Sequence, residues 1–228
     1  MSMDLDQALR TTGAVRDFTD DPVPDAVVHR ILDTARFAPS GGNRQGWRVV
    51  VVQDPDRRAR LRDLYLDGWY RYLAIGAAGL VPWAPVTDRD AEARAVADAP
   101  AVAAAAVPGF AEHLHQVPVL LLLLADLRAL AAVDRDHHRY TFAGGASVYP
   151  FAWSILLAAH DHDLAGVMTT MAVWTEDGVR DELGVPDHLA VAGLVALGHP
   201  RRRPTRLRRR GVEAFTTVDR FDGAPFTG

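Results

Sequence analysis

Apolar residues recur at helical spacing in Val27, Val28, Ile31, Leu32 and Ala35, framed by Pro24 and Pro39. This pattern predicts an amphipathic helix with one buried face. A shorter set, Leu5, Ala8 and Leu9, predicts a first helix ending near Thr12 and Gly13, with Val15 to Thr19 as a connecting segment. Trp47 to Gln53 is a continuous apolar run of strand length, and Pro118 to Ala125 reads as a buried strand. Between them, helical stretches are expected around residues 57–72 and 88–99. Asp126 to Asp136 is expected to be a helix. The segment from Tyr149 to Leu164 is apolar nearly all round, so it predicts a central helix. Ala165 to Val173 reads as extended, Glu176 to Leu183 as a helix and His188 to Leu197 as a strand. Strands alternating with helices imply a sheet buried on both faces in one α/β or α+β domain covering residues 1–228.

The ten residues APSGGNRQGW, Ala38 to Trp47, lie between the amphipathic helix and the first strand. Small Ser40, Gly41 and Gly42 let backbone approach a flat ligand, while Asn43, Arg44 and Gln45 supply donors and acceptors. A helix stop would use the same residues, because Pro39 and two glycines serve there equally. Trp69, Tyr70, Tyr72 and Trp83 concentrate aromatic residues in the middle of the chain, which suits core packing, a lid or an oligomer contact.

Composition narrows the chemistry. The chain is 49% hydrophobic and carries a net charge of −4. It has no cysteine and no lysine, which excludes disulfides, thiolate catalysis, Cys-ligated metals and lysine Schiff bases. Seven arginines fall within Arg201 to Arg210, leaving 18 basic against 29 acidic residues elsewhere. Such a patch wants an anion, but the acidic remainder argues against nucleic acid as a partner. The longest apolar run, Val117 to Ala125, is about half a membrane span, and the opening decapeptide lacks a signal-like apolar core. A cytoplasmic protein with no membrane partner is expected.

No GxGxxG or GxxxxGK[ST] motif exists, and GGASVYP at Gly144 to Pro150 is not a GxSxG elbow. The histidine pairs 113/115, 137/138 and 160/162 lack ligand spacing and read as solvated helix ends, so no metal site is expected. A polar loop without a nucleophile or an acid/base pair suits a protein whose cofactor carries the chemistry.

The stretch AVRDFTDDPVPDAVVHRILDTARFAPSGGNRQGWRVVVV, Ala14 to Val52, resembles the opening of the FMN-dependent nitroreductase family. The likeness continues through SILLAAHDHDLAGVMTTMAVWTEDGVRDELGVP, Ser154 to Pro186, and LVALGHP, Leu194 to Pro200. It implies an α+β fold with a central, mostly antiparallel sheet wrapped by helices, in a domain-interlocked homodimer holding FMN at the subunit interface. Residues 54–116 would be a variable lid or dimer region, and residues 200–228 a C-terminal arm exchanged between subunits.

The resemblance also implies a site. Arg16 matches a basic residue near the flavin's pyrimidine edge. Pro39, Ser40, Gly41 and Asn43 match the loop laid against the partner's flavin, and Met168, Thr169 and Thr170 match the segment near N5. Arg209, with Arg208 beside it, matches the C-terminal phosphate arginine. Thr12 and Gly13 stand where the family opens with a basic residue, and Gly13 replaces an arginine whose phosphate contact would be worth about 1.5 to 3 kcal/mol. Restoring Gly13→Arg is therefore expected to tighten FMN. The implied activity is a ping-pong cycle in which NAD(P)H reduces FMN and a flat, electron-poor nitroaromatic or quinone takes the electrons. No general base is named. Related chemistries on the same scaffold are dehalogenation, azoline oxidation and flavin destruction, and weak phosphate contacts would suit a flavin-binding or storage protein.

Overall fold

The structure, a computed structural model, describes residues 4–228. Its helices are α1 (Leu5–Thr11), α2 (Asp25–Ala35), α3 (Pro55–Ala77), α4 (Arg89–Val96), α5 (Ala99–Ala105), α6 (Tyr149–Asp161) and α7 (Glu176–Leu183). Its strands are β1 (Trp47–Val51), β2 (Val119–Asp126), β3 (Ala165–Thr169) and β4 (Leu189–Gly198). The sheet runs β1-β2-β4-β3, and every neighbouring pair is antiparallel. The fold is α+β, as expected from the family resemblance.

All eight residues of β2 are buried, because helices cover both faces of the sheet. Alternation along the strand divides them. Leu120, Leu122 and Leu124 join Leu61 and Tyr65 of α3, Val179 of α7 and Val167 of β3 in one cluster. Leu121, Leu123 and Ala125 join Ile31 and Ala35 of α2 with Phe151, Ala152 and Ile155 of α6 in the other. Each fully buried leucine contributes about 1.5–3 kcal/mol relative to an exposed one, so this strand holds much of the apolar driving force.

Local signals set most boundaries. Asp54 caps α3 by accepting from Arg57 N–H, and Pro55 opens its first turn. Gly184, with φ of 65°, ends α7 in the left-handed conformation. In β4 the register against β2 slips between Leu123 and Leu124, leaving Ala192 as the extra residue of a bulge beside Gly193. Gly193 has φ of 153°, and a Cβ there would lie 2.8 Å from the Thr169 carbonyl oxygen, so this position requires glycine.

Two expectations are corrected. Asp126 to Asp136 is a series of turns and not a helix. Asp126 accepts from both the backbone N–H and the guanidinium of Arg128, which folds the chain back at once. Buried Asp134 then accepts from Thr141 Oγ1, Arg139 and the Phe142 N–H, tying down the return loop. The extended reading of Ala165 to Val173 holds only to Thr169, after which Met171–Thr175 is a short 3-10 helix. Among the described residues no helix is long and apolar enough to cross a membrane.

Leu122 is fully buried in the middle of the central strand. Leu122→Ala is expected to destabilise the chain by about 2–5 kcal/mol, read from the midpoint of urea unfolding.

Candidate functional site

The extended segment after α1 adds itself to the sheet. Val15 N–H donates to Gly166 O at 2.9 Å, and Thr19 N–H donates to His199 O at 2.8 Å. Val15 and Phe18 are buried by this arrangement, while Arg16 stays exposed. Arg16 makes no hydrogen bond or ion pair among the described residues.

Arg16 faces a cleft of about 440 Å³ between the end of β3, α3 and the segment Ala106–Glu112. Met168, Thr169 and Thr170 form its sheet-side wall. Their path is held by the bulge at Gly193, where there is no room for a side chain. Tyr65 lies beneath, buried, with its hydroxyl 3.1 Å from Thr169 Oγ1. Burial pushes the Tyr65 phenol above its ordinary pKa; the Thr169 hydroxyl and the Arg16 charge oppose that shift, and Glu112 adds to it.

Aromatic rings make the opposite wall. Tyr65, Trp69 and Tyr72 occur at i, i+4 and i+7 of α3, so they share one face. Trp69 and Tyr72 stack with centroids 5.6 Å apart and planes within 7°. The row of rings continues to Trp83, which is tilted by 46° against Tyr72 and stacks on Trp174 at 5.3 Å. Phe110 meets Tyr65 edge to face at 6.5 Å. Trp83 has φ of 52°, a strained conformation for a bulky residue, held between two ring neighbours. Glu112 completes the cleft, accepting from Gly109 N–H at 2.7 Å and from the Tyr70 hydroxyl at 3.0 Å. Partial burial raises its carboxyl, but the backbone N–H donors and Tyr70 outweigh this and hold it below the usual range.

The site residues expected from the sequence fall into three groups. Arg16, Met168, Thr169 and Thr170 come together in the cleft. Pro39, Ser40, Gly41 and Asn43 lie before β1, at the sheet edge opposite β3, and do not reach it within one chain. Their loop is exposed and pinned by Ser147 Oγ, which accepts from Gly41 N–H at 3.0 Å. Asn43 and Gln45 have positive φ there, so strain is concentrated in a loop whose side chains are exposed and bonded within it, Gln45 Nε2 donating to Asn43 Oδ1 at 3.1 Å.

In the third group, Thr12 and Gly13 line a small recess with His160, Arg203 and Pro204, away from Arg208 and Arg209. Thr12 is buried, and its hydroxyl lies 2.7 Å from His160 Nδ1. Gly13 packs under the C-terminal arm: a Cβ would meet Leu207 Cδ2 at 2.9 Å and Pro204 Cγ at 3.1 Å. A side chain at Gly13 would therefore require the Leu207 and Pro204 side chains to give way. Arg208 and Arg209 are exposed on that arm, just after Leu207. His160 is also a correction, since the chain buries it at 6% exposure when a solvated helix end was expected. Burial, followed by the charge of Arg203, lowers its pKa. Among the described residues no group of side chains could hold a metal ion.

Comparison with known proteins places this arrangement. Residues 9–199 match the model of the Nitroreductase family. The chain belongs to that family. The NADH dehydrogenase of Thermus thermophilus is 30% identical to it over 225 residues, which cover 87% of each chain. Iodotyrosine deiodinase 1 of Rattus norvegicus is 26% identical over 206 residues, covering 90% of this chain and 65% of that protein. Among solved structures, the NADPH:FMN oxidoreductase from Vibrio harveyi, in complex with NAD+, superimposes with a TM-score of 0.63 at 20% identity, covering 94% of this chain and 76% of that one. This nitroreductase-family oxidoreductase therefore takes its opening segment and β3 from the parts that resemble the family, and Tyr65, Trp69, Tyr72, Phe110 and Glu112 from the middle, where sequence reasoning found no site. The i, i+4, i+7 aromatic spacing on α3 was the signal available there.

His160 is kept neutral by burial, so its contribution to stability is complete above the ordinary histidine pKa of about 6.5 and is lost as pH falls through it. Unfolding midpoints should fall from pH 7 to pH 5 more steeply in the native sequence than in His160→Asn. Parallel slopes would contradict this.

Proposed function

We propose that this chain is an FMN-dependent oxidoreductase, acting as a homodimer, that passes electrons from NAD(P)H to flat, electron-poor acceptors such as nitroaromatics or quinones. The observation that carries the reading is Arg16: an exposed guanidinium with no hydrogen-bond or ion-pair partner among the described residues, facing the same aromatic-walled cleft as Met168, Thr169 and Thr170. The donor set fits a flavin. Arg16 offers positive charge, Thr169 and Thr170 offer hydroxyls and main-chain groups, and the α3 rings offer flat apolar surface.

A bound FMN supplies hydride transfer between rings stacked on it. The chain's part is positioning and electrostatics. Arg16 would hold a bound flavin and stabilise negative charge on it without reorganising at the moment of reaction. Arg208 and Arg209 supply cations for the phosphate, on an arm that Leu207 seats on Gly13. Thr12 and Gly13 lie beside that arm, lining a recess with Pro204. Trp69, Tyr72 and Phe110 exclude water and hold a planar acceptor.

The loop Pro39 to Asn43 supports the dimer. It cannot reach its own cleft, yet it carries strained, exposed polar groups. Phe37 beside it is 75% exposed, and Phe221 in the arm is fully exposed. Apolar surface of this kind suits burial against a second copy.

The test is the visible spectrum. Protein that takes up FMN, is bleached by NADPH or NADH, and recovers its colour with a quinone or nitroaromatic supports the proposal; failure to take up FMN overturns it. Flavin that nicotinamides cannot bleach would point to a flavin-storing protein. The similarity to iodotyrosine deiodinase 1 favours reductive dehalogenation as a second reading, tested by halide release from a halogenated phenol under reductant. Arg16→Ala should weaken FMN binding roughly 10- to 100-fold, measured by fluorescence titration.

A further inference from the structure

Glu112 stands out within the cleft because its charge is not neutralised. Among the described residues it forms no ion pair, although Arg16 lines the same cleft. Its two oxygens each accept one hydrogen bond, from Gly109 N–H and from the Tyr70 hydroxyl. A carboxylate has about four lone-pair sites, so acceptor capacity remains on both oxygens. The group is half-buried, which reduces screening by salt.

The surroundings share its preference. Trp69, Tyr72 and Phe110 line the cleft beside Glu112. The faces of aromatic rings carry negative electrostatic potential, so they attract a cation that also stacks on them. A planar ring bearing positive charge would satisfy the ring walls through stacking and the carboxylate through charge. A planar anion would gain the stacking but meet the carboxylate unfavourably. Arg16 forms no ion pair with Glu112, and it also lines a neighbouring recess of about 360 Å³, together with Gly109 and Phe110. His113, whose charge acts on Glu112, lines that neighbouring recess and not the aromatic cleft.

We propose that Glu112, set among Trp69, Tyr72 and Phe110, selects acceptors whose flat ring carries a positive charge or an ammonium substituent. This rests on the oxidoreductase reading above and narrows its substrate class. Glu112 is a specificity-determining residue in this scheme, and the Tyr70 hydroxyl disperses part of its charge.

The test compares three planar probes of similar size, N-methylquinolinium, quinoline and quinoline carboxylate, at mildly alkaline pH without reductant. Dissociation constants are read from quenching of tryptophan emission, on FMN-loaded and on flavin-free protein. The native protein should bind the cation about tenfold more tightly than the anion, with the neutral probe between. Glu112→Gln should reduce that ratio several-fold, leaving the part that the ring faces contribute. Tyr70→Phe keeps the carboxylate and removes one of its donors, so it should increase the ratio; this variant decides the matter if Glu112→Gln fails to fold. Equal binding of the three probes by native protein, a cation preference undiminished in Glu112→Gln, or one that falls in Tyr70→Phe overturns the proposal. Absence of FMN uptake would count against the cofactor reading alone, because the ranking of the probes is still read on the flavin-free protein.

Discussion

The structure depends on the burial of β2 from both sides. A strand of consecutive leucines has no solvent-facing residues to spare, so the chain must supply a helical layer for each face. It does so with α2 and α6 on one side and α3 and α7 on the other. The site is a consequence of this sandwich. Once α3 is pinned to the sheet by Leu61 and Tyr65, its aromatic face can extend only past the end of β3, where Met168 to Thr170 emerge.

The site itself is built from pieces that lie far apart in sequence and are brought together by close backbone contacts. The opening segment reaches β3 through the Val15 to Gly166 hydrogen bond, which leaves Arg16 at the cleft mouth. The bulge at Gly193 allows Thr169 to approach. The Tyr70 to Glu112 hydrogen bond ties the Ala106–Glu112 segment to α3 and closes the far wall. Positive and negative groups thus face one cleft without neutralising each other, and its polarity is available to ligands.

Much of this was legible where periodicity or turn chemistry was strong. The α7 boundaries, the apolar β2 and β4 runs and the helix from Asp25 to Ala35 follow from spacing, caps and glycine stops. The helix expected after Asp126 failed because short-range carboxylate contacts, from Asp126 to Arg128 and from Asp134 to its return loop, outcompeted a weak helical pattern. His160 was misread for another reason. Its burial is set by a partner, Thr12, more than a hundred positions away, and no local pattern encodes such a partner.

The sequence alone determined the α+β class, the doubly buried sheet, the absence of thiol and lysine chemistry, and the family to which the chain belongs. These depend on local periodicity, composition and ordered motifs, which survive without knowledge of contacts. Only the tertiary structure decided which predicted residues share a cleft. It joined Arg16 to Met168, Thr169 and Thr170, sent Pro39 to Asn43 to the opposite sheet edge, and brought Glu112 and the α3 rings into the wall. The reason is geometric: a binding site is a set of distances between elements, and those distances are fixed by packing across the sheet and not by spacing along the chain.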